Sequence, residues 1–279
     1  MRTTQPSTVV ITGAGSGMGR AYALAYAQHG ARLALNDFDA AGLEQTQALL
    51  KAQGCDQMIA EVFSVADRSA FSGFAHRVIQ RWGAPDVVLN NAGIEGAVKP
   101  VWTTSEQDYR RIMDVNFFGV VNGTQLFLPA MRERRRGTIV NVSSIFGLVG
   151  TPNSADYCAS KFAVRGFTEA LMVELQDSPV NAMLVHPGGI ATNIVKNSTA
   201  TDFGQNYLTT PPEKIVAVVM RAIDKGQARV VYGHGALKTW LASWALPLKL
   251  RNWAIWRELA AVTDQTDYAS SPPPRGQST

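Results

Sequence analysis

The sequence predicts an α/β protein of Rossmann-like, doubly wound architecture: a mostly parallel seven-stranded sheet with helices on both faces. Three observations predict it. Seven short apolar runs recur along the chain, each followed by a helix-like segment. Most of these runs are rich in β-formers and nearly continuous in apolar character, as strands buried on both faces of a parallel sheet must be. The first run leads through a glycine-rich loop straight into the first amphipathic stretch.

TVVIT (8–12) opens the sheet. Residues 18–29 place Ala21, Leu24, Ala25 and Gln28 at helical spacing, and Gly30 marks the helix stop. ARLALN (31–36), MIAEVF (58–63), DVVLN (86–90), GTIVNVS (137–143), VNAMLVH (180–186) and ARVVYG (228–233) supply the other strands. No internal repeat or linker interrupts the alternation, so residues 1–235 read as one domain. Its long loop at 188–212 mixes Ser, Thr and Asn and reads as a lid that orders over ligand. Beyond it come a Trp-rich extension, 236–262, and a tail, 263–279, whose end SSPPPRGQST has the composition of a disordered segment.

Of 279 residues, 46% are apolar and 17% charged, enough to fill a sizeable core and unlike a disordered chain. The net charge of +4 is concentrated partly in RERRR (132–136). No aromatic platform or reading helix accompanies that run, so it reads as a solvated surface and not as a nucleic-acid site. Cys55 and Cys158 match no metal or redox spacing, and the expectation is no metal site and a reducing compartment. The polar MRTTQPS start has no signal-peptide pattern, and no run of about 18 apolar residues is present. Both point to a cytoplasmic location.

TGAGSGMG (12–19) joins the first strand to the first helix. Glycines at 13, 17 and 19 let the backbone turn tightly and approach a pyrophosphate, which the unpaired N–H groups of the helix start would bind. Strand before and helix after make this a dinucleotide loop instead of a plain turn. Asp37 ends the second strand, where a carboxylate accepts hydrogen bonds from ribose hydroxyls and repels a 2′-phosphate. No Arg or Lys stands at 16 or 38, so NAD is favoured over NADP.

In DYCASK (156–161), Tyr157 and Lys161 are one helical turn apart and share a face. An isolated phenol, with a pKa of about 10, is a poor proton carrier at neutral pH. A neighbouring ammonium is expected to lower that value. Such a pair alone is usually structural. Ser144 ends the strand GTIVNVSS thirteen residues earlier, at the sheet edge where ligands gather, and could hold a substrate oxygen beside the tyrosine. It could equally be a capping serine, a task Ser143 would also serve.

The chain resembles a short-chain dehydrogenase/reductase of the single-domain type. TGAGSGMG resembles that family's Thr-Gly-x-x-x-Gly-x-Gly, and NNAG (90–93) its Asn-Asn-Ala-Gly. Asn116 in MDVNFFG, then Ser144, then Tyr157-x-x-x-Lys161 match its reaction residues. HPGGIAT (186–192) resembles its Pro-Gly segment and following threonine. The match runs over roughly residues 7–235. One departure is Ser64, which stands where the family often has an adenine-binding aspartate; Asp67 is expected to cap the next helix instead. The resemblance implies a hydride transfer between a secondary alcohol or ketone and NAD. Tyr157 would be acid/base and Ser144 a second hydroxyl donor. Lys161 would hold ribose and lower the tyrosine pKa, and Asn116 would hold a water that gives the proton an exit. It further implies cofactor contacts from Gly13, Ser16, Gly17, Met18, Gly19, Asp37, Ser64, Val65, Asn91, Ala92, Gly93, Tyr157, Lys161, Pro187, Gly188, Ile190 and Thr192. It also implies a homodimer or homotetramer with contact helices in 105–135 and 155–176.

Specificity is expected from loops 94–100, 145–156 and 188–212, through Ile145, Phe146, Leu148, Val149, Ile190, Phe203, Tyr207 and Leu208, giving a pocket for a hydrophobic substrate. LKTWLASWALPLKLRNWAIW (237–256) holds four of the six tryptophans, and Pro247 divides it. Three readings stay open for it: packing on the core or a partner subunit, peripheral contact with a membrane, and cover over the substrate cleft. The rival functions are a non-catalytic NAD-binding regulator, a sugar epimerase or dehydratase, and a membrane-surface scaffold. An intact Ser, Tyr, Lys and Asn set argues against the first, since binding alone requires no proton relay.

Overall fold

A computed structural model describes residues 7–192 and 206–269. Its centre is a sheet of strands β1 (Thr8–Thr12), β2 (Arg32–Asp37), β3 (Met58–Val62), β4 (Val87–Asn90), β5 (Gly137–Val142), β6 (Val180–Pro187) and β7 (Arg229–Tyr232). Their order is β3-β2-β1-β4-β5-β6-β7 and every pairing is parallel. Successive side chains of a strand enter opposite layers. Val9 and Ile11 of β1 join one core and Val10 the other; in β4 Val87 and Leu89 part from Val88 in the same way. Apolar residues at consecutive positions are therefore needed, which is why the strands read as unbroken runs.

Helices α1 (Gly17–Gln28), α2 (Ala40–Ala52) and α7 (Pro212–Asp224) cover one face through Tyr22, Leu43, Leu50, Ile215 and Val219. Helices α3 (Arg68–Trp82), α5 (Gly119–Glu133) and α6 (Ala155–Glu174) cover the other through Phe71, Phe74, Phe127, Met131 and Leu171. Helix α4 (Glu106–Met113) runs into α5 through a widened π turn, Asp114–Phe118. The hairpin of α8 (Ala236–Ala245) and α9 (Leu248–Leu259) then packs at the carboxyl end of the sheet, followed by a short α10 (Thr266–Ala269).

Local signals explain the ends. Gly30 takes φ +71 just past α1, and Asp67 caps α3 by accepting from the Ala70 N–H at 2.9 Å, both as the sequence leads one to expect. Asp39 stands at the N-cap of α2, but its side chain makes no capping bond. In the basic run, Arg134 and Arg136 are tied to Asp86 at 3.3 and 2.7 Å, so part of that run is anchored to the loop entering β4.

The tail segment differs from its sequence reading where it is described. Residues 264–268 grip the body: Asn153 Nδ2 donates to the Asp264 carbonyl (2.7 Å), Tyr268 Oη donates to Asn153 Oδ1 (3.1 Å), and the Tyr268 ring meets Trp102 edge-on at 5.0 Å. Hydrogen bonds to Asn153 and the aromatic contact with Trp102 hold this piece, and local composition shows neither. Residues 270–279, and 193–205 of the loop read as a lid, including Phe203, lie outside the described residues. Among the described residues no helix is long and apolar enough to cross a membrane.

Candidate active site

Strand order reverses between β1 and β4, with later strands added on the opposite side of β1, and this switch point opens a crevice at the strand tips. Two chain segments meet there closely: a Cβ on Gly13 would lie 2.9 Å from Ala92 Cα, and one on Gly19 would lie 1.8 Å from the Gly13 carbonyl oxygen. Only glycine fits these positions, and Gly13 and Gly17 also take φ of +69 and +50. The Asn91 amide donates to the Thr12 carbonyl at 3.0 Å and so joins the glycine loop to the NNAG turn.

Asp37 reaches this loop. Its carboxylate accepts from the Gly15 N–H at 2.7 Å and from the Asp39 N–H at 2.9 Å. Gly15 is a residue the sequence reading missed; a Cβ there would meet the Asp37 carboxylate at 2.9 Å, and that close approach leaves no trace in motif spacing. Arg20 braces the loop from below by donating to the Gly15 and Gly42 carbonyls and to Thr46 Oγ1. Ser64 lies exposed at the edge near β3, with its Oγ accepting from the Ala66 N–H at 3.3 Å. Val65 is buried, and its carbonyl accepts from Asn122.

The residues present fit a nicotinamide dinucleotide. Ser16 precedes α1 in extended conformation and makes no side-chain cap, which leaves the helix-start N–H groups to an anion. Asn91 Oδ1 is buried without a hydrogen-bond partner among the described residues, and Asn91 lines the cavity described next. Lys161 is buried, lines the same cavity, and among the described residues directs one hydrogen bond, 3.2 Å, to the Val142 carbonyl, leaving donors for a ligand.

That cavity, of about 470 Å³, brings together Met18, Asn91, Gly93, Ser144, Tyr157, Lys161, Pro187, Gly188, Ile190 and Thr192 of the sequence-derived set. Gly13, Ser16, Gly17, Gly19, Asp37, Ser64, Val65 and Ala92 stand outside its lining, along the loop and strand tips on the β1–β3 side. Asn116 is also outside it. Among the expected specificity residues Ile145, Phe146, Val149, Tyr207 and Leu208 line the cavity, whereas Leu148 is buried away from it.

Tyr157 and Lys161 do share a face of α6: the Lys161 Nζ lies 5.6 Å from the Tyr157 ring centroid. Phe146 meets the same ring edge-on at 6.0 Å. Ser144 serves two tasks. Its Oγ accepts from the Phe146 N–H at 3.1 Å, which makes it the capping serine, and its nearness to the Tyr157 hydroxyl favours the ionised phenol. Ser143 instead donates to the Lys161 carbonyl at 2.8 Å. His186 Nδ1 donates to the Ser144 carbonyl at 2.8 Å. Burial pushes its pKa down to about 4, so the ring is neutral at pH 7.

The tyrosine's acidity departs from the sequence expectation. Burial pushes the Tyr157 pKa up to about 12, against which the hydrogen bond from Ser144 works only in part. Burial also pulls Lys161 down to about 8. Stripping water from the phenolate raises the one pKa, and stripping it from the ammonium lowers the other. The phenol is therefore neutral in this structure.

Asn116 is fixed by its neighbours. Its Oδ1 accepts from the Ile94 N–H at 2.8 Å, and its Nδ2 donates to the Ile94 carbonyl and Ser160 Oγ at 3.0 and 3.2 Å. Both amide protons are spent, so the side chain pins the 93–95 turn against α6 and does not donate to a water. The π turn at 114–118 carries the amide into that position.

The Trp-rich extension supplies the cavity's roof. Ala242, Leu246, Ala254, Ile255 and Leu259 of the α8–α9 hairpin line it, together with Arg251 and Glu258. Of the three readings open for this stretch, cover over the cleft is the one this inner face takes.

Comparison with known proteins agrees with this geometry. The model of the family described as short chain dehydrogenase matches residues 7–202. The protein SadH of Mycobacterium tuberculosis, named as an oxidoreductase, is 43% identical over 84% of this chain and 88% of its own. Levodione reductase of Leifsonia aquatica is 35% identical over 68% of this chain and 72% of its own. A crystal structure of levodione reductase superposes with a TM-score of 0.76 at 31% identity, covering 82% of this chain and 96% of that one. A short-chain dehydrogenase/reductase from Burkholderia phymatum, solved in complex with NAD, gives 0.77 at 25% identity over the whole of both chains. The chain therefore belongs to the short-chain dehydrogenase/reductase family of nicotinamide-dependent oxidoreductases.

Proposed function

We propose that this oxidoreductase interconverts a secondary alcohol and a ketone on a hydrophobic substrate, with NAD as cofactor and Tyr157 as acid/base. The observation that carries the reading is the convergence of Ser144, Tyr157 and Lys161 on one cavity with Asn91 and Met18 of the glycine-loop stretch. A nicotinamide ring bound there would give hydride to the ketone carbon or take it from the alcohol carbon. The chain's own residues handle the proton.

A ketone oxygen placed between the Ser144 and Tyr157 hydroxyls receives two hydrogen bonds, which strengthen as negative charge grows on it. With its pKa near 12, Tyr157 enters this step protonated and passes its proton to that oxygen. The tyrosinate left behind faces the Lys161 ammonium, and the proton deficit is made good through Lys161. Lys161 has a pKa near 8, so it can both hold a proton at neutral pH and release one. The resting protonation state is thus set for reduction; oxidation must first remove a tightly held phenolic proton. Asn116 acts as a positioning residue through Ile94 and Ser160.

Asp37 supports NAD: its oxygens keep lone pairs beyond the two bonds they accept, and no cation at 16 or 38 would balance a 2′-phosphate. Ile145, Phe146, Val149, Leu246 and Ile255 give the substrate side of the cavity its apolar character. Exposed Phe118 and Phe162 lie within 105–135 and 155–176, the segments that would pair copies into a homodimer or homotetramer. The test is a panel of secondary alcohols and ketones with NAD(H) and NADP(H), followed by absorbance of the reduced ring. The reading expects turnover of apolar ketones with NADH in excess of NADPH. No turnover of any member, with tight NAD binding, would favour a non-catalytic role.

A further inference from the structure

The hairpin has two faces with different fates. Its inner face roofs the cavity through Ala242, Leu246, Ala254 and Ile255. The outer face carries Leu237, Leu241 and Trp244 of α8, spaced by four and three residues, and Leu248 at the start of α9; they are 60%, 52%, 67% and 62% exposed. Leu250 and Trp253 continue the apolar surface along α9 at 48% and 59% exposed. A contiguous stripe of this kind marks an interaction site, where scattered single apolar residues would not. Lys238 pairs with Glu258 at 2.7 Å, and Arg251 Nη1 donates to the Ser243 carbonyl at 3.2 Å; both contacts bind α9 back against α8.

Charge selects the occupant. Residues 236–259 contain Lys238, Lys249, Arg251 and Arg257 against one acid, Glu258; Lys238, Arg251 and Glu258 line the cavity, which leaves Lys249 and Arg257 as the cations outside it. Glu258 is already taken by Lys238. Arg257 lies 5.6 Å over the Trp253 ring, and Lys249 has no salt bridge among the described residues. A second copy seated on this stripe would set like charges against each other. An anionic bilayer would meet the cations with its headgroups and the Leu and Trp side chains with the headgroup–acyl boundary, where indoles are favoured. Neither helix is long enough to span, so the hairpin would lie in the interface plane.

We propose that the α8–α9 hairpin seats this protein on an anionic phospholipid bilayer, outer face in the lipid interface and inner face over the cavity. The proposal stands apart from the reaction assigned above, because vesicle binding is read without turnover. The experiment is co-sedimentation of the full chain with phosphatidylcholine vesicles containing roughly one quarter phosphatidylglycerol, and with phosphatidylcholine alone. The expected result is binding to the anionic vesicles that added salt weakens. The Leu241→Glu, Trp244→Glu double variant should lose at least ~10-fold in partitioning, with far-UV circular dichroism and NAD binding retained. Lys249→Glu should reduce binding to the anionic vesicles alone, and it decides the matter if the double variant misfolds. Failure of the native chain to sediment with anionic vesicles overturns the proposal, as does retained binding in a folded double variant. A native chain that ignores vesicles, but whose mass by light scattering falls in the double variant, assigns the stripe to a second copy and overturns it equally.

Discussion

Helix α6 and the α8–α9 hairpin face the same cavity and are held in opposite ways. Around the start of α6, polar bonds converge: Asp156 accepts from the Ala97 N–H, Ser160 takes the Asn116 amide, and Ser143 grips the Lys161 carbonyl. Asp156, Ser160 and Lys161 are nearly inaccessible to water. In the hairpin, α9 has no fully buried residue and α8 has only Ala236. The groups proposed to react thus sit where geometry is over-determined, and the cavity's roof sits where a side chain can change at little cost to folding. Reaction and specificity should therefore come apart under mutation.

The largest effect should fall on α6. Tyr157→Phe keeps the ring and deletes the proton; turnover should drop by at least ~10²-fold while NAD binding by titration stays unchanged. Near-native turnover in that variant would remove the distinction just drawn. The glycine-loop side should respond in binding. Asp37→Ala should weaken NAD by about 10-fold, the size of a charged hydrogen bond, and narrow the preference over NADP, as read from the two cofactor constants. The hairpin should respond in substrate range alone: Ala242→Trp, on the roof, should raise KM for bulky ketones by ~10-fold and change kcat for small ones little. Equal losses for large and small substrates would show that the roof shapes the reacting groups too.

How much of this could be read from residues differs between the same two regions. The strands were legible because burial on two faces demands consecutive apolar residues, and the runs at 8–12 and 180–186 announce β1 and β6 almost to the residue. Tyr157 and Lys161 were legible as neighbours because helical spacing is fixed by geometry. Their protonation was not, since desolvation depends on what packs around them: Phe146 beside the ring, and the Val142 carbonyl as the lysine's partner. The Asn116 contact with Ile94 was not legible, because nothing in the sequence says that a π turn delivers the amide there. The hairpin defeated pattern reading because both of its faces are apolar, so periodicity cannot tell roof from surface. Tyr268 and Asp264 were assigned to a tail since their anchors, Trp102 and Asn153, are more than a hundred residues away in the chain.

The central claim is that a phenol held neutral by burial gives up its proton beside a lysine that titrates near pH 8. The pH dependence of kcat/KM for ketone reduction, between roughly pH 6 and pH 10, tests it most directly. Below the Lys161 pKa the ammonium is present and the rate constant should be level. Above it the charge that offsets tyrosinate is lost, and kcat/KM should fall. The account predicts that break near 8 in the native chain and its absence in Lys161→Met, whose remaining activity should be low and level. A native profile that stays level through pH 10, or a break that survives in Lys161→Met, would contradict it.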